Sequence, residues 1–203
     1  MAEGVKDSFL TIAAPVETAM RERSSKFLAY AYPVTTEEEC RQHLENLRKT
    51  YFDATHHCYA WRLGAMGEQF RANDDGEPSG TAGKPILGQL LSSDVTNCLI
   101  VVVRYFGGTK LGVSGLIQAY REAARDVLDA CQIIEQTVDV TARVDFSYMT
   151  MNDVMRVIKE CSPRILSQDF DNLCSITFAI RKGDAEQLLG RLGKIVGATV
   201  EVL

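Results

Sequence analysis

TNCLIVVVRYFGGTKLGVSGLIQAY, Thr96 to Tyr120, changes character twice along its length, and each change is a structural statement. The run Leu99 to Val103 is wholly apolar, too short for a buried helix of typical length and well suited to a central strand. Gly107 and Gly108 then interrupt it. Beyond them Leu116, Tyr120, Ala123, Val127 and Cys131 recur at helical spacing. A strand over Thr96 to Tyr105, a glycine turn and a helix are therefore expected, the signature of an α+β unit.

Working outward, Ser8 to Met20 and Ser25 to Val34 read as extended runs, and His57 to Leu63 as another strand. Thr36 with Glu39 forms a capping box ahead of Cys40, Leu44, Leu47 and Tyr51, which share one helical face. Gly64 to Ser79 is polar and glycine-bearing, hence a loop. Gly80 to Leu91 reads as helical, with Pro85 in its early turns where proline is tolerated.

The C-terminal third follows a second pattern. Val138, Val140, Ala142, Val144 and Phe146 alternate with polar residues, which predicts a half-buried strand. A helix is expected from Asn152 to Cys161, ended by Ser162-Pro163. Arg164 to Phe170 and Leu173 to Ile180 read as strands joined by a turn at Asp171-Asn172. Asp184 is placed to cap a helix carrying Leu188, Leu192 and Ile195, and Ala198 to Leu203 closes with a strand. The order β-α-β-β-α-β is the ferredoxin-like motif. Two domains are expected, residues 1–134 and 135–203, with the boundary falling near Cys131 to Gln136.

The 203 residues are 46% apolar with a formal net charge of −5, so a full core is available and no global basic field draws in nucleic acid. No apolar run reaches the ~18 residues of a membrane span, and the N-terminus lacks the pattern of a signal peptide. A cytoplasmic location is expected. The six cysteines are widely spaced with no CxxC pair and read as reduced core thiols.

Ten of the fifteen glycines lie between Gly64 and Gly115, which marks one shaped surface built by two tracts. In the first, Asp74, Asp75 and Glu77 surround Gly76; a solvated acidic turn, a ligand or partner surface, and acid–base chemistry are the readings in that order. Gly80, Thr81, Gly83 and Lys84 follow. Their pattern fails Walker A, since Lys84 precedes Pro85 and the required first glycine is Pro78, but free amides at a helix start could hold an anion. In the second tract Gly107, Gly108, Gly112 and Gly115 make the same offer, supplemented by Arg104 and Lys110; the alternative is a tight turn whose glycines only allow close packing.

Tyr105 and its aromatic neighbours Trp61, Phe106 and Tyr120 read as core first and as stacking platforms second. His56 and Cys58 share a strand face while His57 points away, so they are at most a partial metal site, and Cys58 beside His56 is a minor candidate nucleophile. No metal and no cofactor are expected.

HHCYAW at His56 to Trp61, NDDGEPSGTAGKP at Asn73 to Pro85 and VVVRYFGGTKLGVSGLIQAY at Val101 to Tyr120 together resemble the IMPACT family, in its short bacterial form. The resemblance implies an N-terminal domain of the ribosomal protein S5 domain 2-like class, a ferredoxin-like C-terminal domain and a role in regulating translation. It supplies no catalytic residues. The function expected is a non-enzymatic regulator that binds RNA, the ribosome or a translation-associated protein through the glycine-rich surface. The rival is a phosphate-ligand enzyme or sensor using the Gly107 to Gly115 turn.

Overall fold

The computed structural model describes residues 7–171 and 173–203. They divide into a unit of Phe9–Gln136 and a second made by Thr137–Leu203 with Asp7 and Ser8. The larger unit runs β1 (Ser8–Ile12), β2 (Val16–Glu22), β3 (Ser25–Pro33), α1 (Glu37–Thr50), β4 (His56–Leu63), β5 (Gln69–Asn73), α2 (Gly83–Ser92), β6 (Cys98–Tyr105), α3 (Gly112–Asp129) and β7 (Ile133–Thr137).

Five of these strands form one antiparallel sheet in the order β2-β3-β6-β4-β5, so the apolar run of β6 lies at its centre. Successive side chains of a strand point to opposite faces, and both faces of β6 are covered. Ile100 and Val102 pack with Phe27, Ala29 and Cys58 against Ile86 and Leu90 of α2 and Leu116 and Tyr120 of α3. Leu99, Val101 and Val103 pack with Tyr59 and Trp61 against Cys40, Leu44 and Leu47 of α1. Two-sided burial removes the need for alternation, and each such aliphatic side chain contributes about 1.5–3 kcal/mol.

The expected capping box of α1 is present. Thr36 accepts from the Glu39 amide at 3.2 Å, and the Glu39 carboxylate accepts from the Thr36 amide at 3.3 Å. Pro85 lies in the first turn of α2.

The second unit continues with β8 (Asp139–Phe146), α4 (Met151–Cys161), β9 (Arg164–Asp169), β10 (Cys174–Arg181), α5 (Lys182–Leu192) and β11 (Ala198–Val202). Its sheet order, β11-β8-β10-β9, gives the ferredoxin-like arrangement its predicted alternation implied. Val144, Phe146, Ile176 and Phe178 meet Val154 and Ile158 of α4 and Leu188 and Leu192 of α5. Ser162 ends α4 in the left-handed conformation, φ 49°, directly before Pro163. The hairpin turn expected at Asp171-Asn172 includes Asn172, which lies outside the described residues; the strands on either side pair antiparallel.

Three local expectations are corrected. The run from Ser8 to Met20 is two strands, broken at Ala13 to Pro15. The loop from Gly64 to Ser79 contains β5, an edge strand with Phe70 largely exposed, so it carries no apolar alternation to read. Strand β7 is an addition to the expected elements, its residues mostly exposed. Asp184 lies in the first turn of α5 without capping it; the Gly183 amide donates to Asp7, whose carboxylate also accepts from Arg181 at 2.7 and 2.9 Å. A carboxylate supplied from 176 residues away leaves no local sequence signal. Among the described residues no helix is long and apolar enough to cross a membrane.

Candidate functional site

Register places the site. Arg104 of β6 stands opposite Phe27 of β3 and His56 of β4, on the sheet face that α2 and α3 cover. Its guanidinium lies 5.5 Å from the centre of the Phe27 ring and 5.6 Å from that of Phe106. Nη1 donates to Glu77 Oε1 at 2.5 Å and Nη2 to Ser25 Oγ at 3.2 Å, while Nε is buried without an acceptor among the described residues. Glu77 Oε1 also accepts from the Tyr120 hydroxyl at 2.8 Å, and His56 Nε2 is 3.7 Å away. The Tyr120 oxygen in turn accepts from the Cys58 thiol at 3.3 Å. The side chains of Arg104 and Glu77 are only 5% and 4% exposed.

This corrects the reading of Arg104 as a surface cation beside the glycine turn. It is half of a buried ion pair, stacked between two aromatic rings and charge-compensated from the acidic tract. Glu77, from the segment before α2, and Arg104, near the end of β6, bring one residue of each tract into contact.

The rest of the acidic tract also turns inward. The Asp74 carboxylate accepts from the amides of Gly80, Ala82 and Gly83 at 2.8, 3.0 and 2.8 Å. The amides expected to be free for an external anion are therefore occupied by the chain's own carboxylate. Burial alone would raise the Asp74 pKa, but these three bonds and nearby Lys84 hold it below the ordinary carboxylate value. Asp75, in the left-handed region at φ 41°, accepts from the His57 amide at 2.7 Å and from Arg48 at 3.1 Å, and its carbonyl lies 2.8 Å from His56 Nδ1. The preferred reading of a solvated turn gives way to a tied one. Thr81 is buried with its hydroxyl on the Pro78 carbonyl, and Lys84 is exposed.

The glycines of the second tract have two different reasons. A Cβ on Gly107 would lie 2.1 Å from the Ser24 backbone, so this glycine serves close packing against the β2–β3 turn. Gly112 has φ +74° with nothing within 4 Å of an added Cβ, so it serves backbone conformation and leaves space. Helix α3 starts there without a side-chain cap.

Beside that start is a cleft of about 350 Å³. Buried Glu77 and Arg104 form its base, Pro78, Phe106, Val113 and Leu116 contribute apolar walls, and Lys110 and Gly112 join them. Of the residues proposed from sequence, Glu77, Arg104, Lys110 and Gly112 converge on it. Asp74, Asp75, Gly80, Thr81, Gly83 and Lys84 organise the neighbouring loop, and Gly107, Gly108 and Gly115 the turn. Tyr105 points elsewhere, donating to Asp53 at 2.7 Å. Ser25, Phe27, Val113 and Leu116 escaped the sequence reading as site residues, since only strand register and the path of α3 bring them in.

The other candidates are held in structural roles. The Cys58 sulfur also lies 3.0 Å from the Asp74 carbonyl, so its one proton is shared between that oxygen and Tyr120, and burial pushes the thiol far above the ordinary range. Burial likewise raises the Tyr120 hydroxyl. Among the described residues no group of three or more His, Cys, Asp or Glu side chains is arranged to hold a metal ion.

An S5 domain 2-like sheet unit carrying a cleft at the start of α3, in one chain with a ferredoxin-like unit, defines the class of protein. The Impact N-terminal domain matches residues 23–128 of the larger unit. This chain belongs to the IMPACT family. It is 30% identical to the IMPACT family member YigZ of Escherichia coli (strain K12) over 199 residues, 97% of this chain and 98% of that one. A solved structure described as that of a hypothetical protein is 30% identical, spans 97% of each chain and superposes with a TM-score of 0.72. Another, described as the two-domain translational regulator Yih1, is 28% identical over 64% of this chain and 48% of its own, with a TM-score of 0.36.

Proposed function

We propose that this chain is a non-enzymatic regulator of translation that docks on a translation-associated protein through the Phe106–Val113 segment and its cleft. The observation that carries the reading is that Phe106 and Val113 stand 47% and 61% exposed at a cleft whose base is otherwise tightly bonded. Exposed apolar side chains gathered at one concave place suit contact with another chain. The translational part comes with the family, whose resemblance implies that role.

RNA draws less support as the partner. The net charge is −5, Glu77 compensates Arg104, and the two tracts expose only Lys84 and Lys110 as cations. The non-enzymatic part is supported by the site's reactive groups being engaged: Cys58 and Tyr120 are raised by burial, and Glu77 Oε1 is shared by two donors.

Sucrose-gradient co-sedimentation and pulldown from lysate, with wild type beside Val113→Asp, test the reading. Wild type is expected to travel with ribosomal particles or capture a translation protein, and the variant to stay at the top. A variant that associates as well as wild type overturns the docking face.

A phosphate-ligand sensor or enzyme is the second reading, favoured by the start of α3 having no side-chain cap beside Lys110. A thermal-shift panel of nucleotides and sugar phosphates tests it, since ligand at about 100 times its Kd stabilises by about 2.7 kcal/mol.

A further inference from the structure

The geometry points to a specific occupant for the cleft: the C-terminal residue of a partner peptide, its α-carboxylate at the start of α3 and its apolar side chain against Phe106, Val113 and Leu116. This inference rests on the docking reading above and names the chemistry that docks.

Three independent observations converge. The first is charge. Glu77 and Arg104 compensate each other at the base, which leaves Lys110 and the positive end of α3 as the uncompensated charges of the cleft. That field suits one negative charge.

The second is an orphan donor. Of the two buried side-chain nitrogens without a partner among the described residues, one is Arg104 Nε, on a side chain that lines this cleft and is 95% out of solvent. Buried donors are ordinarily paired, so an unpaired one in a cleft points to an acceptor brought by a ligand. Phe106, whose half-exposed ring lies over the same guanidinium, is the side chain that must shift to admit it.

The third is space and shape. Gly112 has no heavy atom within 4 Å of where a Cβ would stand, and it lines the cleft as the first residue of α3. At about 350 Å³ the cleft is at the small end of the range for ligand sites, the size for one residue. A C-terminal residue carries its carboxylate and side chain on the same Cα, so both fit within that reach. Capture of a terminal carboxylate by backbone amides is an established recognition mode.

The test is a ¹⁵N–¹H NMR titration of the full chain with N-acetylphenylalanine, its C-terminal amide, N-acetylglycine and phenyl phosphate, all in the millimolar range. Saturable shifts confined to residues 104–116 are expected with N-acetylphenylalanine, with binding at least about tenfold weaker for the amide and for N-acetylglycine. Lys110→Glu and Val113→Asp, both at exposed positions, are expected to keep the spectrum of the folded protein and lose the binding.

No shift with N-acetylphenylalanine, or equal binding of its amide, overturns the proposal; tighter binding of phenyl phosphate overturns it in favour of the phosphate reading. The docking face is judged separately. If Val113→Asp loses translation-linked association while wild type ignores every probe, the face stands and this occupant falls. If the probes bind and association is indifferent to Val113→Asp, the carboxylate site stands and the docking reading falls.

Discussion

Arg104 Nη1 and Glu77 Oε1 are 2.5 Å apart, 27 residues apart in sequence, and both side chains are withdrawn from solvent. Removing one partner leaves the other charged and buried, which costs about 3–5 kcal/mol. Arg104→Ala and Glu77→Ala are each expected to lower stability by that order in urea denaturation. The double substitution Arg104→Ala with Glu77→Ala is expected to cost less than the sum of the two singles. Full additivity would show that the pair is not coupled.

Asp74 terminates three amides at the start of α2, where Ala82 offers no side-chain cap. Asp74→Ala is expected to cost about 2 kcal/mol, the upper end for loss of a helix-capping group. Because the folded pKa is depressed, the stabilisation is complete above the unfolded value of about 3.9 and is lost as pH falls through the folded one. Denaturation midpoints of wild type and variant are therefore expected to converge at the acid end.

His57 is buried, and burial lowers its pKa, opposed by Asp75 and by the backbone of Tyr51 and Leu47 and reinforced by Arg48. The unfolded chain then binds the proton more readily than the folded one. Stability is expected to be complete above about pH 6.5 and to decline as pH falls below it. His43 on α1 is lowered by burial as well and contributes in the same window. A histidine-resolved NMR titration checks the assignment: a His57 pKa at or above 6.5 would contradict it.

Two glycines separate packing from backbone strain. Gly107→Ala drives a methyl into the Ser24 backbone and is expected to cost at least the 1–3 kcal/mol of overpacking. Gly112→Ala meets no atom and is expected to cost only the 1–2 kcal/mol of a left-handed alanine. Equal losses in thermal denaturation would refute the distinction.

Much of the architecture was legible along the chain because it is local. The alternation of Val138 to Phe146, the unbroken run of Leu99 to Val103 and the Thr36–Glu39 box each encode an element within a few residues. The order of those elements fixes the ferredoxin-like unit. Edge strands β5 and β7 were not legible, because a strand that buries little has no apolar rhythm and is defined by backbone bonds to its neighbour. The cap of α5 was not legible either, since Asp7 reaches it from the far end of the chain.

The candidate site divides along the same line. Sequence alone marked two glycine-punctuated tracts, with their acids and cations, as the candidate region, because glycine clustering and charge are properties of composition and spacing. Only the tertiary structure decided what those groups do. Burial turned Arg104 from a surface cation into half of an ion pair, Asp74 consumed the amides that looked free, and the register of β3, β6 and β4 set Phe27, Arg104 and His56 side by side. A side chain's charge is written in its identity, but its availability depends on which distant atoms satisfy it, and those are chosen by the fold.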